Sequence, residues 1–340
     1  MAAAASDTPR RVLLAWSNDW TDVARTLRFT LHRLARPGDR FVLAHVRVAQ
    51  APLGPTAVPA VELPVPLSKV LALWHAGDTG PASKAVADAL DKLVAAVSSV
   101  DAVELRTTLR VSDAFAAYVR FVPPAEEPDL VIMGSHSGRN VGTAHWKAPH
   151  ISLDVAATQT ACPCVLARPR EQQMWDVVTF PEWTPPAEGI GAAAAPYVVL
   201  ALDGSQQSPL QTQYVIANIL QPRDAVWIVN KGDTSDSGLN AVLAKCEAML
   251  TTAGHTVKVV RLHADADVRD YLVDLSETGP SVDLGPPVSI VVGTRGEATS
   301  SLKRLVLGGT ADYVLRMAAT TVVAVPPLVE LTPGAPGAAL

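Results

Sequence analysis

At 340 residues the chain is longer than one ordinary core requires and about right for two domains of roughly 150 residues each. Hydrophobic residues make up 49% and charged residues 18%, apolar area enough to offset chain entropy, which excludes a disordered protein. The formal net charge of −5 leaves counterion-driven nucleic-acid binding without a source. No apolar run approaches the roughly 18 residues of a membrane span, and Met1–Ala5 gives way to polar residues before Val12, unlike a signal peptide.

In chain order, Val12–Trp16 is a short apolar run of the kind that forms a strand buried on both faces of a parallel sheet, and Phe41–Val46 is a second. The proline-rich stretch between about Val48 and Trp74 reads as a loop, after which Val103–Leu109 and Leu130–Gly134 complete the series. The cysteines are Cys162, Cys164 and Cys246, an odd and sparse set that fits a reducing, cytoplasmic compartment. Cys162-Pro163-Cys164 leads into a strand whose alternating side chains point to opposite faces, so packing is expected there rather than redox or metal chemistry.

The same series then recurs. Val198–Leu202 matches Val12–Trp16, Ala225–Val229 matches Phe41–Val46, Val257–His263 matches Val103–Leu109, and Ser289–Gly293 matches Leu130–Gly134. In the second copy a helix follows the first strand, with Ser208 as its expected cap, Pro209 at its first position, and Leu210, Tyr214, Ala217 and Leu220 at helical spacing. The expected organisation is a degenerate domain at 8–170, a linker at 171–195 anchored by Trp175 and Trp183, a nucleotide-binding domain at 196–327 and a disordered tail at 328–340. Strands alternating with helices predict an α/β fold, two tandem doubly wound parallel-sheet domains of Rossmann-like or flavodoxin-like type, with ligands at the carboxyl ends of the strands where strand order reverses.

Chemistry concentrates in the second copy. Asp203-Gly204-Ser205 ends the first strand, while Gly293-Thr294-Arg295-Gly296 ends the fourth, and Gly308-Gly309-Thr310 opens the helix beyond. Glycines let a backbone approach a phosphate closely, and the N–H groups of the helix start together with the Thr310 hydroxyl can hold the anion. Asp203 is placed to accept hydrogen bonds from a ribose or base. Arg295, between two glycines, is read as neutralising phosphate charge, whereas Lys303 and Arg304 are read as a solvated face.

Leu202-Asp203-Gly204-Ser205, Val292-Gly293-x2-Gly296, Leu302–Gly308, Asp312–Arg316 and Val322–Pro326 together resemble the universal stress protein family. Family members that bind ATP carry Gly-x2-Gly-x9-Gly-Ser/Thr. Here eleven residues, 297 to 307, separate Gly296 from Gly308, and Gly309 stands at the Ser/Thr position, with Thr310 as a substitute hydroxyl. The resemblance implies the universal stress protein fold and a site for ATP or another adenine nucleotide, with Mg as an optional companion ion. One wall of that site would be Ala201, Leu202, Asp203, Gly204, Ser205 and Val229. The other would be Gly293, Arg295, Gly296, Gly308, Gly309 and Thr310. Members commonly pair through their last strands, so the two halves are expected to form an intramolecular pseudo-dimer, a homodimer being the further option.

In the first copy Ser17 stands where Asp203 stands in the second, and His150 falls near the position of Gly308, so its ribose contact and phosphate cradle are both expected to be lost. Gly134-Ser135-His136-Ser137-Gly138 has histidine where a nucleophile elbow needs serine. His136, His145 and His150 match no compact zinc spacing. No nucleophile and general base can be assembled near the expected phosphate, so a regulator without dedicated catalysis is expected, in which any ATP hydrolysis is slow and incidental. The alternative is a scaffold of two degenerate domains that binds no nucleotide. Neither a nucleic acid nor a membrane is an expected partner.

Overall fold

The computed structural model describes residues 10–16, 20–48, 65–66, 103–110, 128–134, 162–168, 196–222, 224–233, 235–281, 284–294 and 309–328. The linker with Trp175 and Trp183, the tail beyond Leu328, Ser17, the histidines at 136, 145 and 150, and Lys303 and Arg304 lie outside them. The chain clusters into two compact units, one around Ser6–Gly142 and Lys147–Ala167, the other around Arg168–Glu330.

The first unit contains β1 (Arg11–Trp16), α1 (Trp20–Arg33), β2 (Arg40–Val48), β3 (Val65–Pro66), β4 (Val103–Arg110), β5 (Leu130–Gly134) and β6 (Cys164–Ala167). Its strand order is β3-β4-β2-β1-β5-β6, parallel except for β3, which runs antiparallel to β4 with Val65 opposite Leu105. The proline-rich stretch expected to be loop throughout therefore holds a two-residue strand. Pro66 lacks an N–H, which suits the edge position that β3 takes in this order.

The second unit contains β7 (Tyr197–Ala201), α2 (Gln207–Asn218), β8 (Ala225–Lys231), α3 (Ser237–Thr252), β9 (Thr256–Leu262), α4 (Val268–Thr278), β10 (Ser289–Gly293), α5 (Gly309–Met317) and β11 (Thr321–Val325). Its order is β9-β8-β7-β10-β11, all parallel. Val198, Val199, Leu200, Ile228, Val229 and Ile290 are fully buried, as strands covered on both faces require. The order reverses direction between β7 and β10, and between β1 and β5 in the first unit.

The same turn opens the second strand in both units. Asp39 N–H donates to Arg36 O and the Asp39 carboxylate accepts from Arg36 N–H, while Asp224 N–H donates to Gln221 O and the Asp224 carboxylate accepts from Gln221 N–H. Asp39, itself buried, is further held by two hydrogen bonds from the half-buried Arg10 guanidinium, at 3.0 and 2.6 Å.

α2 departs from the sequence reading. Its first residue is Gln207, so Ser208 and Pro209 lie inside the first turn rather than at the cap and the first helical position. Pro209 is tolerated there because the first N–H groups of a helix have no intrahelical acceptor. Ser205 serves the start, its hydroxyl accepting from Gln207 N–H at 3.2 Å. The buried face of the helix is Ser208, Gln211, Thr212 and Val215; of the expected stripe, Leu210, Tyr214 and Ala217 are half-buried, and Leu220, which is buried, lies beyond the helix end.

The three cysteines are buried, and none is in a disulfide. Burial first, and the neighbouring Cys162 second, push the Cys164 thiol well up, so it packs as a small apolar group. Arg168 caps α5: its two terminal nitrogens donate to Ala318 O and Leu315 O, and its backbone N–H donates to Thr321 Oγ1 at 3.0 Å. Burial lowers its pKa to about 10, which leaves it charged at neutral pH and suited to the negative end of the helix. Among the described residues no helix is long and apolar enough to cross a membrane, and no group of three His, Cys, Asp or Glu could hold a metal ion.

Gly279 and Gly285 both have positive φ, of 73° and 59°, but differ in surroundings. A Cβ on Gly279 would lie 1.8 Å from Gly285 O, whereas one on Gly285 meets nothing within 4 Å. Gly279→Ala is predicted to cost about 3 kcal/mol or more and Gly285→Ala about 1 kcal/mol, read from urea midpoints. Equal penalties would contradict the packing at this turn.

Candidate functional site

β7 is extended by one residue beyond Ala201, because Leu202 N–H donates to Val229 O at 3.0 Å. Leu202 O in turn accepts from the buried Asn230 Nδ2 at 2.7 Å, so the backbone stays fixed to the sheet up to Asp203. There the chain turns. Asp203 Oδ1 accepts from Ser205 N–H at 2.9 Å and from Ser208 Oγ at 3.2 Å, an Asx-type turn locked by a helix side chain. Ser208 Oγ also accepts from Gly204 N–H at 3.1 Å, and Gly204 takes φ 80°. Asp203 is exposed, and Oδ2 makes no hydrogen bond among the described residues.

Gly293 closes β10 on the same sheet edge, since Val292 stands beside Ala201 in the register. Thr294 then returns to the sheet, its N–H donating to Val325 O at 2.9 Å. The fold thus brings Ala201, Leu202, Asp203, Gly204, Ser205 and Gly293 to the point where strand order reverses, with Val229 one strand away beside Ala201. Gly309 and Thr310 form the first turn of α5, the crossover from β10 to β11, and a right-handed crossover between parallel strands sets out from their carboxyl ends. Arg295, Gly296 and Gly308 lie outside the described residues.

Four side chains at this edge were not anticipated. Leu239, in the first turn of α3, packs over both Gly204 and Gly232; Cβ atoms added there would lie 2.0 and 2.3 Å from its methyls. Gln211 lies against Gly293, where an added Cβ would be 2.3 Å from its amide nitrogen. Arg261 donates to Asn230 Oδ1 at 3.1 Å and to Asn240 Oδ1 at 2.8 Å, tying β9 to β8 and to the first turn of α3. One signal was available: Asn230 interrupts the apolar run of β8 near its carboxyl end, where a buried amide must be answered by a partner.

No known family's sequence profile matches the chain, and no curated protein matches it. Solved structures do. A functionally unknown protein, PA1789 from Pseudomonas aeruginosa PAO1, is 12% identical with TM-score 0.50, over 94% of this chain and 93% of that one. A universal stress protein from Archaeoglobus fulgidus DSM 4304 is 12% identical with TM-score 0.46, over 94% and 96%. A protein from Pseudomonas aeruginosa UCBPP-PA14 assigned to the universal stress proteins is 13% identical with TM-score 0.49, over 94% of each chain. Solved universal stress proteins stand among the chain's structural neighbours. At these identities the likeness is one of α/β architecture, mostly parallel in both units, and it carries over no ligand and no activity.

The contact of Leu239 with Gly204 gives a direct check on the geometry. Gly204→Ala is predicted to cost about 2–3 kcal/mol, from the positive φ and the overlap together. In a Leu239→Ala background, where the overlap is relieved, the same change is predicted to cost about 1 kcal/mol. An identical penalty in both backgrounds would show that the two residues do not meet.

Proposed function

We propose that the Arg168–Glu330 unit binds ATP or a related adenine nucleotide at the strand-order reversal between β7 and β10, and that the chain acts as a universal stress protein-like regulator. Binding would bias shape or partner choice rather than lead to turnover. The observation that carries the reading is the Asp203 carboxylate, whose Oδ1 is held by Ser205 N–H and Ser208 Oγ while the exposed Oδ2 is left to accept from a ligand. A pre-positioned acceptor loses little freedom on binding, which is where affinity is gained. The glycine at the end of β10 and the amino end of α5 supply, in the same reading, the close backbone approach and the N–H groups for phosphate. Mg would accompany a triphosphate through phosphate oxygens and water. The motif resemblance around Asp203, Gly293 and the Leu302–Gly308 stretch supports the same assignment, and a cytoplasmic location accords with three cysteines outside any disulfide.

A second reading is a scaffold that binds no nucleotide. It is favoured by Leu239, which fills the space above Gly204 and Gly232 with an apolar side chain.

Mass spectrometry of small molecules released from the purified chain by denaturation, followed by calorimetry with ATP and AMP, separates the two. The parent is expected to release or bind an adenine nucleotide, and Asp203→Ala to weaken binding about tenfold or more. No released nucleotide, and no heat at millimolar ATP or AMP, establishes the scaffold. Steady phosphate release that disappears in Asp203→Ala would instead make the protein an enzyme.

A further inference from the structure

Gln211 is a polar side chain on the buried face of α2. It is 5% exposed, and its amide nitrogen sits against Gly293 at the strand-order reversal. Neither amide atom makes a hydrogen bond among the described residues. The amide is not sealed off: the one side-chain polar atom both occluded from solvent and unpartnered among the described residues is Arg168 Nε. The carboxamide therefore borders space that solvent, or a ligand, reaches.

Gln211 lies three residues after Ser208, one turn along the same face of α2, and Ser208 is the residue that holds the Asp203 carboxylate. Asp203 Oδ2 offers an acceptor and Gln211 offers a donor with an acceptor, on neighbouring supports that are both fixed by α2. Two adjacent hydroxyls, each able to donate and to accept, complement that pair; a single hydroxyl leaves one of the protein groups unanswered.

We infer that Gln211 is a specificity-determining residue whose carboxamide hydrogen-bonds the 2′-hydroxyl of a ribose diol while Asp203 Oδ2 accepts from the 3′-hydroxyl, so that the site selects ribonucleotides over 2′-deoxyribonucleotides. This rests on the nucleotide-binding reading above. Selectivity follows because the deoxy sugar buries the amide beside carbon, where the lost partner is not replaced by water.

Calorimetry of the full chain with ATP and with 2′-deoxy-ATP tests it, using the parent and Gln211→Met, which keeps the length of the side chain without its hydrogen bonds. The parent is expected to bind ATP about tenfold more tightly than 2′-deoxy-ATP, and Gln211→Met to bind both alike, with ATP weakened about tenfold. The variant is also expected to melt close to the parent's temperature, since the amide holds no other described part of the protein. Tighter ATP binding by Gln211→Met would show that the amide blocks the crevice, and a markedly lower melting temperature would show that it serves packing; either overturns the inference. A parent that binds both nucleotides equally overturns this inference alone. A parent that binds neither overturns the nucleotide reading with it.

Discussion

The hydroxyl of Ser208 links Asp203 and Gly204 to the first turn of α2, and the arrangement of the carboxyl edge in the second unit depends on that link. A chain leaving a parallel strand has to turn sharply to enter its crossover helix, and the turn exposes polar groups that the sheet no longer satisfies. Here the groups satisfy one another. Asp203 accepts from the Ser205 amide, Ser208 accepts from the Gly204 amide, and Gly204 supplies the positive φ. One carboxylate oxygen is used up in this and the other is left outward, so the structural demand of the turn and the capacity to accept from a ligand come from the same residue.

That link also accounts for the unusual polarity of α2. A helix that must answer a polar turn with Ser208 presents Ser208, Gln211, Thr212 and Val215 inward, because residues three and four apart share a face. Thr212 satisfies itself by donating to Ser208 O at 2.8 Å. On the far side of β7 the same problem is handled by side chains from the sheet: Asn230 reaches Leu202 O and is itself met by Arg261, which is anchored on Asn240. Both flanks of Asp203 are thus stiffened by hydrogen bonds, while Leu239 supplies the apolar contact between them. At the other end of the unit, Arg168 holds the carboxyl end of α5 through Leu315 O and Ala318 O, which fixes the axis of the helix whose first turn carries Gly309 and Thr310.

Much of this architecture was legible in the sequence because buried parallel strands write themselves as short apolar runs. β5 and β10 fall on the runs read from sequence, and β1, β2, β4, β7, β8 and β9 differ from theirs by a residue or two at an end. α2 was legible as a helix but not in its facing, since periodicity marks apolar residues and the turn at Asp203 had recruited polar ones. The short β3 was hidden by its prolines. At the site, Asp203 and Gly293 could be placed because they end strands whose order is dictated by the crossover rule. Gln211, Leu239 and Arg261 could not, because their roles depend on which helix faces which strand end, a property that no local pattern encodes.

In the proposed reading Asp203, Gly293 and the first turn of α5 answer to one ligand. Amide chemical shifts of the full chain recorded during titration with ATP test this. The Gly204, Ser205, Gly293 and Thr310 amides are expected to shift together along one binding curve, while the Asp39 amide in the corresponding turn of the first unit stays still. Shifts confined to one of those three places, or strongest around Asp39, would contradict it.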